Sequence, residues 1–341
     1  MLSSTRSCSI LWQMLRSNSV MGEQIIPDHW FVIVNPTSGS GYGLKDYPRI
    51  AKLLRDNHIY HDAVFTEHQY HATELVVEAV NKGYRKVIVV GGDGTLNEVV
   101  NGIFIQKVCE PKDIRLAVIA VGTGNDWVRT FGIPSHYSEA IRAIKEGKTF
   151  LQDVGAVTYT ESKYSQTRYM INVAGLGFDA YTISIFNHKK AKGLRGKWLY
   201  IASLVEAYCK YKSSGVKIVV DGEEIYNNLL LSIAVGVCKF NGGGILQLPK
   251  AVADDGLLDI TLIKPLHWWH IVFRLRRLFN GGIYSIGHIR HAQGKHIHIE
   301  STPPILLECD GELMGGTDVD IKVIPQAIRV VVTKEFLESR K

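Results

Sequence analysis

The sequence predicts an α/β domain followed by a predominantly antiparallel β domain, and three observations lead there. Up to residue 152, short apolar runs of strand type alternate with segments of helical period, the pattern of a parallel sheet with helices on both faces. Beyond it the segments are short, rich in β-formers and divided by turn signals. With 341 residues and 46% hydrophobic content, the chain is long enough to bury two cores.

In order, "WFVIVN" (30–35) is a buried-type strand that ends in the glycine and serine turn "PTSGSGYG", and "YPRIAKLLRDN" then runs at helical period. "HDAVFTE" is the next strand, and "HATELVVEAVNKG" is a helix stopped at Gly83. Val87, Ile88, Val89 and Val90 form a continuous apolar run suited to a strand buried on both faces. Gly91, Gly92 and Gly94 follow, then Leu96, Val99, Val100 and Ile103 at helical spacing, with Thr95 and Glu98 near the helix start. "RLAVIAVGTGND" (115–126) repeats the motif of strand, glycine turn and acid. Ligands in such sheets bind beyond the carboxyl ends of the strands, so the three glycine turns are expected to converge on one crevice.

A helix N-terminus after a glycine turn presents unpaired N–H groups and a partial positive charge, which suits phosphate. Asp93 is out of place beside phosphate alone. A divalent cation between them would account for it. The alternative is that Asp93 caps the helix and the glycines only make a turn.

After residue 152 come "DVGAVTY", "RYMINVAGLGFDA", "GVKIVVDGEEIYNNLLLSIAVGVCKF", "LLDITLI", "HIHIES" and "ILLECDGELM", with "VVDGEEI" reading as a hairpin. The final "VDIKVIPQAIRVVV" is strand-like and is expected to return to the first domain. The expected division is 28–152 for the α/β domain, 153–317 for the β-rich domain and 318–341 for the returning segment. Residues 1–27 are expected to be disordered or to include a misassigned start, since Met21 stands shortly before the first strand.

A net charge of +6 points to an anionic partner, whether nucleotide, nucleic acid or acidic membrane. Five scattered cysteines without a CxxC pair suggest neither zinc nor a disulfide framework, and reduced thiols in a cytoplasm are the plain reading. No uninterrupted apolar window reaches the roughly 18 residues that a spanning helix needs. The leader's apolar stretch is broken by Gln13 and Arg16, which argues against a secretory signal. His291, His296 and His298 show no HExxH spacing and are read as non-functional.

"VNPTSGSG", "VVGGDGTLNEVVNG", "GTGNDWVRTFGIP", "NVAGLGFDA", "NGGGILQLPKAVADDGLLD" and "LECDGE", in that order, resemble the diacylglycerol kinase catalytic family, which also contains sphingosine kinases and bacterial soluble lipid kinases. One GGDGT turn is moderately specific, since NAD kinases and phosphofructokinases carry similar ones; six ordered motifs are highly specific. The resemblance implies an α/β nucleotide-binding domain that holds ATP at Asn35, Pro36, Thr37, Ser38, Gly39, Thr66, Gly92, Asp93, Gly94, Thr95, Leu96, Asn97, Glu98 and Thr123. It implies a catalytic Mg²⁺ held through water by Asp93 and Asp126, and a structural Mg²⁺ at Val252, Asp255 and Leu257, where a plain acidic turn is the alternative. It also favours Glu312 as proton acceptor, with Asp310 as its partner. Alternation along "ILLECDGE" would put those two on one face of an extended chain, and an ordinary hairpin turn is the competing view. Val121 and Trp127 replace the family's usual proline and phenylalanine, leaving the fine shape of the nucleotide pocket open.

The function this implies is an ATP-dependent, Mg²⁺-requiring lipid kinase acting on diacylglycerol to give phosphatidic acid. A sphingoid base, ceramide or phosphatidylglycerol are alternative acceptors. An NAD kinase-type enzyme and a catalytically silent lipid-binding protein are the rival readings. "HKKAKGLRGKWLYIASLVEAYCKYK" (188–212) and "HWWHIVFRLRRLFNGG" (267–282) place basic charge beside interfacial aromatics, as docking on an anionic membrane requires. They serve equally well as amphipathic helices covering the β domain. The expected setting is cytoplasmic with peripheral membrane contact and no nucleic-acid partner, a homodimer being left open.

Overall fold

The computed structural model describes residues 29–122, 124–161, 164–192, 194, 198–267, 277 and 280–340. Residues 1–27, Thr123 and most of the 267–282 segment lie outside the described residues, as do the expectations placed on them.

Strands β1 (Trp30–Val34), β2 (His61–Phe65), β3 (Lys86–Gly91) and β4 (Arg115–Ala120) are parallel, in the order β2-β1-β3-β4. Helices α1 (Ser38–Asp56), α2 (His71–Asn81), α3 (Asp93–Ile105), α4 (Asp126–Thr130) and α5 (Tyr137–Glu146) follow the strands. Successive strand side chains point to opposite faces, and both faces are covered. Phe31, Ile33, Val87 and Val89 pack against Val76 of α2 and Leu96, Val99 and Ile103 of α3. Val32, Val34, Ile88 and Val90 pack against Ile50 and Leu54 of α1 and Ile141 and Ile144 of α5. Each such fully buried aliphatic side chain stabilises the fold by roughly 1.5–3 kcal/mol. The first helix starts earlier than the spacing from Tyr47 suggests. Gly39, Ser40 and Gly41 form a positive-φ kink near its start, and Pro48 lies inside it.

The second half comprises β5 (Thr149–Glu161), β6 (Tyr164–Met170), β7 (Val173–Gly177), α6 (Phe178–Ala191), α7 (Trp198–Lys210), β8 (Ser214–Val220), β9 (Glu223–Leu230) and β10 (Ser232–Gly236). There follow β11 (Phe240–Asn241), β12 (Ile245–Leu246), β13 (Leu258–Ile263), β14 (Ile289–Gly294), β15 (His296–Thr302), β16 (Leu306–Cys309), β17 (Glu312–Val331) and α8 (Lys334–Glu338). Pairing within this half is antiparallel. At Asp221 and Gly222, both at positive φ, β8 turns back into β9 as a tight hairpin.

β17 joins the two halves. It leaves a turn at Glu312, runs antiparallel to β5, and ends parallel to β4 with Arg329 opposite Arg115 and Val330 opposite Leu116. One 15-stranded sheet therefore spans the molecule. The divisions at 152/153 and 317/318 fall inside β5 and β17, two strands that run through both halves. His291 pairs with Asp259 at 2.7 Å, His296 with Asp320 at 2.8 Å, and His298 sits between Glu300 and Asp320 at 3.0 and 3.2 Å. Cys109, Cys209, Cys238 and Cys309 are free thiols.

Candidate active site

The turns after β1, β3 and β4 meet at the carboxyl end of the parallel sheet. Asn35 donates from Nδ2 to the Thr95 hydroxyl at 2.8 Å, tying the first turn to the second. Its Oδ1 accepts from the backbone N–H and hydroxyl of Thr37. The first and third turns touch through Gly39 and Gly122, both at positive φ. A Cβ on Gly39 would lie 3.1 Å from the Gly122 backbone, so a side chain at either position would crowd the other turn as well as strain the positive-φ backbone. Ser38, Gly39, Gly92, Asp93, Gly94 and Gly122 line one large cavity of about 1720 Å³.

The other residues expected at the nucleotide divide by contact. Thr66 closes the end of β2 by donating its N–H to the Val34 carbonyl, and Pro36 accepts from the Leu44 N–H. Leu96 turns into the core and its N–H is taken by the Gly92 carbonyl, so it supports the turn and does not face the cavity. Glu98 accepts from the Ala72 N–H and caps the start of α2. Asn97, fully buried, reaches toward the second half and donates to the Asp310 carboxylate at 2.6 Å. Its Oδ1 accepts two bonds from the Arg168 guanidinium. Arg168 carries no motif signal, because only the folding of β6 over α3 brings it there.

Asp93 is a capping residue, but not of its own helix. Its carboxylate accepts from the N–H groups of Asp126 at 2.7 Å and Trp127 at 3.3 Å, the first turn of α4. Asp126 accepts from Arg129 Nη1 at 2.6 Å and from the Gly243 N–H at 2.7 Å. Burial pushes the Asp93 carboxyl up to about 7; the N–H bonds from Asp126 and Trp127 oppose that, while the Asp126 and Asp310 charges add to it. Asp93, buried beside Asp126 and Asp310 with no cation of its own among the described residues, offers hard oxygens that fit a Mg²⁺ site. In the "AVADDGLLD" loop, Asp255 accepts from the Leu257 N–H and Asp254 pairs with Arg340. Burial, together with Asp259 and Asp254, raises the Asp255 carboxyl against the bond from Leu257. That surplus of negative charge also suits a cation.

Asp310 and Glu312 do not share a face of an extended chain. Asp310 and Gly311 both have positive φ, so the chain reverses between β16 and β17 and strand alternation stops there. Asp310 is buried and accepts from the N–H groups of Ile171, Asn172 and Val173 as well as from Asn97. All its capacity goes into fixing the turn. Glu312 is half-buried in the cavity wall, and the one hydrogen bond to its carboxylate among the described residues comes from Gln69 at 3.4 Å. Burial raises its carboxyl; Glu98 adds to that, while Arg168 and Lys190 oppose it. The hairpin thus presents one fixed acid and one available acid to the same cavity.

Beyond Glu312 the cavity wall becomes apolar: Phe178 and Phe186 of α6, Leu204 of α7, Leu231, Ile263 and Ile283. These residues come from segments far apart in sequence, and no local pattern marks them. The cavity extends to Val205, more than half exposed, and to Lys190.

Residues 29–157 match the family model of the diacylglycerol kinase catalytic domain, and residues 172–332 match that of the YegS C-terminal NAD kinase beta sandwich-like domain. A diacylglycerol kinase of Mycobacterium tuberculosis is 27% identical over 301 residues, covering 88% of this chain and 93% of the relative. The crystal structure of a diacylglycerol kinase from Bacillus anthracis superposes with a TM-score of 0.66 at 23% identity, covering 91% of this chain and 98% of that one. An NAD kinase from Archaeoglobus fulgidus in complex with ATP shares the fold at a TM-score of 0.50 and 12% identity, over 91% of this chain and 96% of that one. With both halves matched in order and full-length relatives bearing the name, the chain belongs to the diacylglycerol kinase catalytic family and is a kinase of that lipid kinase group.

Proposed function

We propose that the protein is an ATP-dependent, Mg²⁺-requiring lipid kinase that transfers the γ-phosphoryl group to a lipid hydroxyl, with diacylglycerol, the lipid in its relatives' names, as the reference acceptor. The observation that carries this reading is the single cavity that joins the glycine turns to an apolar chamber and sets Glu312 at the junction. A nucleotide-metabolite kinase has no use for such a chamber.

The turns at Ser38–Gly39, Gly92–Gly94 and Gly122 would receive the nucleotide phosphates on backbone N–H groups, the glycines letting the chain approach closely. Asp93 and Asp126 would hold Mg²⁺, which when bound offsets phosphate charge. The chamber takes the acyl chains and brings the acceptor hydroxyl to Glu312. The Glu312 carboxylate then accepts the hydroxyl proton as the lipid oxygen bonds to the γ-phosphorus and the bond to the β,γ-bridging oxygen breaks, leaving ADP. Asp310 keeps the turn that carries Glu312 in place. Val252, Asp255 and Leu257 would hold a second, structural ion. Lys189, Lys190 and Lys192 near the end of α6, beside exposed Leu194 and Val205, suit approach to an anionic membrane. Among the described residues no helix is long and apolar enough to cross a membrane.

The test is transfer from γ-labelled ATP to a panel of lipid alcohols in anionic micelles with Mg²⁺, with Glu312→Ala and Asp93→Ala alongside. Label in a lipid that is lost in both variants supports the reading. Label in NAD and in no lipid would replace it with the NAD kinase type, and lipid binding without ATP turnover would favour a silent binding protein.

A further inference from the structure

Where the glycine turns give way to the apolar chamber, one side of the cavity wall is polar and built from hydrogen-bond acceptors. Glu308 is fully buried, yet it lines the cavity. Its Oε2 accepts from the Gly311 N–H at 2.8 Å and its Oε1 from Asn241 Nδ2 at 3.3 Å. Asn241 Nδ2 also lies 3.0 Å from Gln247 Oε1, and Gln247 donates its own amide to Asp179. A chain of contacts thus runs from the catalytic turn through Glu308, Asn241 and Gln247 to Asp179 in the first turn of α6.

The donors in this chain are already engaged with one another. What remains toward the cavity is acceptor capacity on two carboxylates. Neither Asp179 nor Glu308 has a cationic partner among the described residues, and Lys190, on the same cavity wall, is eleven residues along α6 from Asp179, roughly 16 Å by helical rise. A third acceptor lines the same cavity, next to Asp310. Asn172 is 3% exposed and lines the cavity; its Nδ2 donates to the Phe240 carbonyl, but its Oδ1 has no partner among the described residues. Buried acceptors and carboxylates left without donors are costly, and a ligand that brings donors removes the cost.

We propose, on the strength of the lipid kinase reading above, that Glu308, Asp179 and Asn172 form a head-group subsite that selects acceptor lipids carrying a second hydrogen-bond donor, an ammonium or a free hydroxyl, beside the reacting hydroxyl. The ester oxygen next to the hydroxyl of diacylglycerol can only accept, so it meets this wall acceptor to acceptor. An ammonium supplies donors and the missing positive charge; a hydroxyl supplies a donor alone. Glu308 acts close to the reaction because its carboxylate holds Gly311, the residue between Asp310 and Glu312.

The experiment compares three acceptors of matched chain length in the same mixed micelles: a 2-amino-1-alkanol, a monoacylglycerol and a 1,2-diacylglycerol. The expected order of kcat/KM is amino alcohol, then monoacylglycerol, then diacylglycerol, with roughly tenfold between first and last. Glu308→Gln, which keeps the side-chain shape, is expected to shrink that ratio. A preference for diacylglycerol, or an unchanged ratio in Glu308→Gln, overturns the subsite. Octylamine and 1-octanol are tested in parallel by thermal shift on wild type and Glu308→Gln. Stabilisation by the amine that exceeds that by the alcohol and is reduced in the variant supports the subsite; equal shifts overturn it. If no lipid is phosphorylated the kinase reading fails, and the thermal shift still decides whether the subsite exists.

Discussion

The two ends of the cavity are built on opposite principles. At one end, three short turns present backbone, and they touch one another directly at the carboxyl end of one parallel sheet. At the other, side chains from α6, α7, β13 and the 282–285 turn enclose an apolar space, and nothing holds them together except the fold. The first end recognises charge with N–H groups and needs glycine; the second recognises hydrocarbon by area and needs only bulk. Glu312 lies between, on a strand that begins in one half and ends in the other. A single residue there is exposed to both recognition problems.

Removing the residue at the junction should have the largest effect. Glu312→Gln keeps the shape and loses the proton acceptor, so kcat is expected to fall roughly 10²–10⁴-fold with both substrates still bound. A fall of less than threefold in a single-turnover assay would remove Glu312 from the chemistry. Changing one end alone should separate the two substrates. Leu204→Gln in the chamber is expected to raise the lipid KM about tenfold and leave the ATP KM within twofold; equal increases in both would mean that the ends are not separate. Gly39→Ala should do the reverse. Its Cβ would press on the Gly122 backbone at a φ of +60°, so the ATP KM should rise severalfold and stability fall by about 1 kcal/mol, read by nucleotide titration and thermal melting.

The last effect leaves catalysis aside and lies in the pH dependence of stability without ligand. Burial pushes the Glu308 carboxyl up to about 8 from 4.5; the Gly311 bond opposes this, and the Asp179 and Asp310 charges add to it. Without a ligand the folded state therefore keeps on Glu308 a proton that the unfolded state has released, the proton that an arriving ammonium would displace, and this group's contribution to stability is lost as pH rises from about 4.5 to about 8. Melting curves should show Glu308→Gln gaining on wild type across that window. Parallel pH profiles for the two proteins would show that Glu308 is ionised in both states.

The end made of turns was legible in sequence because its signal is local: an apolar run, a glycine cluster and a helical period are contiguous in the chain. The parallel sheet and its two covered faces followed from the same periodicity. The chamber was not legible, since Phe178, Leu204, Leu231 and Ile283 are ordinary apolar residues until the fold gathers them. Asn97 and Glu98 looked like phosphate ligands by position in the motif, but helix geometry turns one toward Asp310 and the other onto the N-terminus of α2. Asp93 was read either as a metal ligand or as a cap of its own helix; the structure has it capping α4, through N–H groups 33 and 34 residues away that could not be read from the turn itself. The alternation argument for Asp310 and Glu312 failed because a two-residue turn at positive φ interrupts the strand at that point.

The central claim is that nucleotide and lipid occupy one cavity side by side, with Glu312 between them. Equilibrium titration of a non-hydrolysable ATP analogue, in the presence and absence of a saturating short-chain lipid alcohol, tests it directly. The account predicts that both bind at once, each retaining its affinity or gaining when the other is present. Mutual exclusion of the two ligands would contradict it.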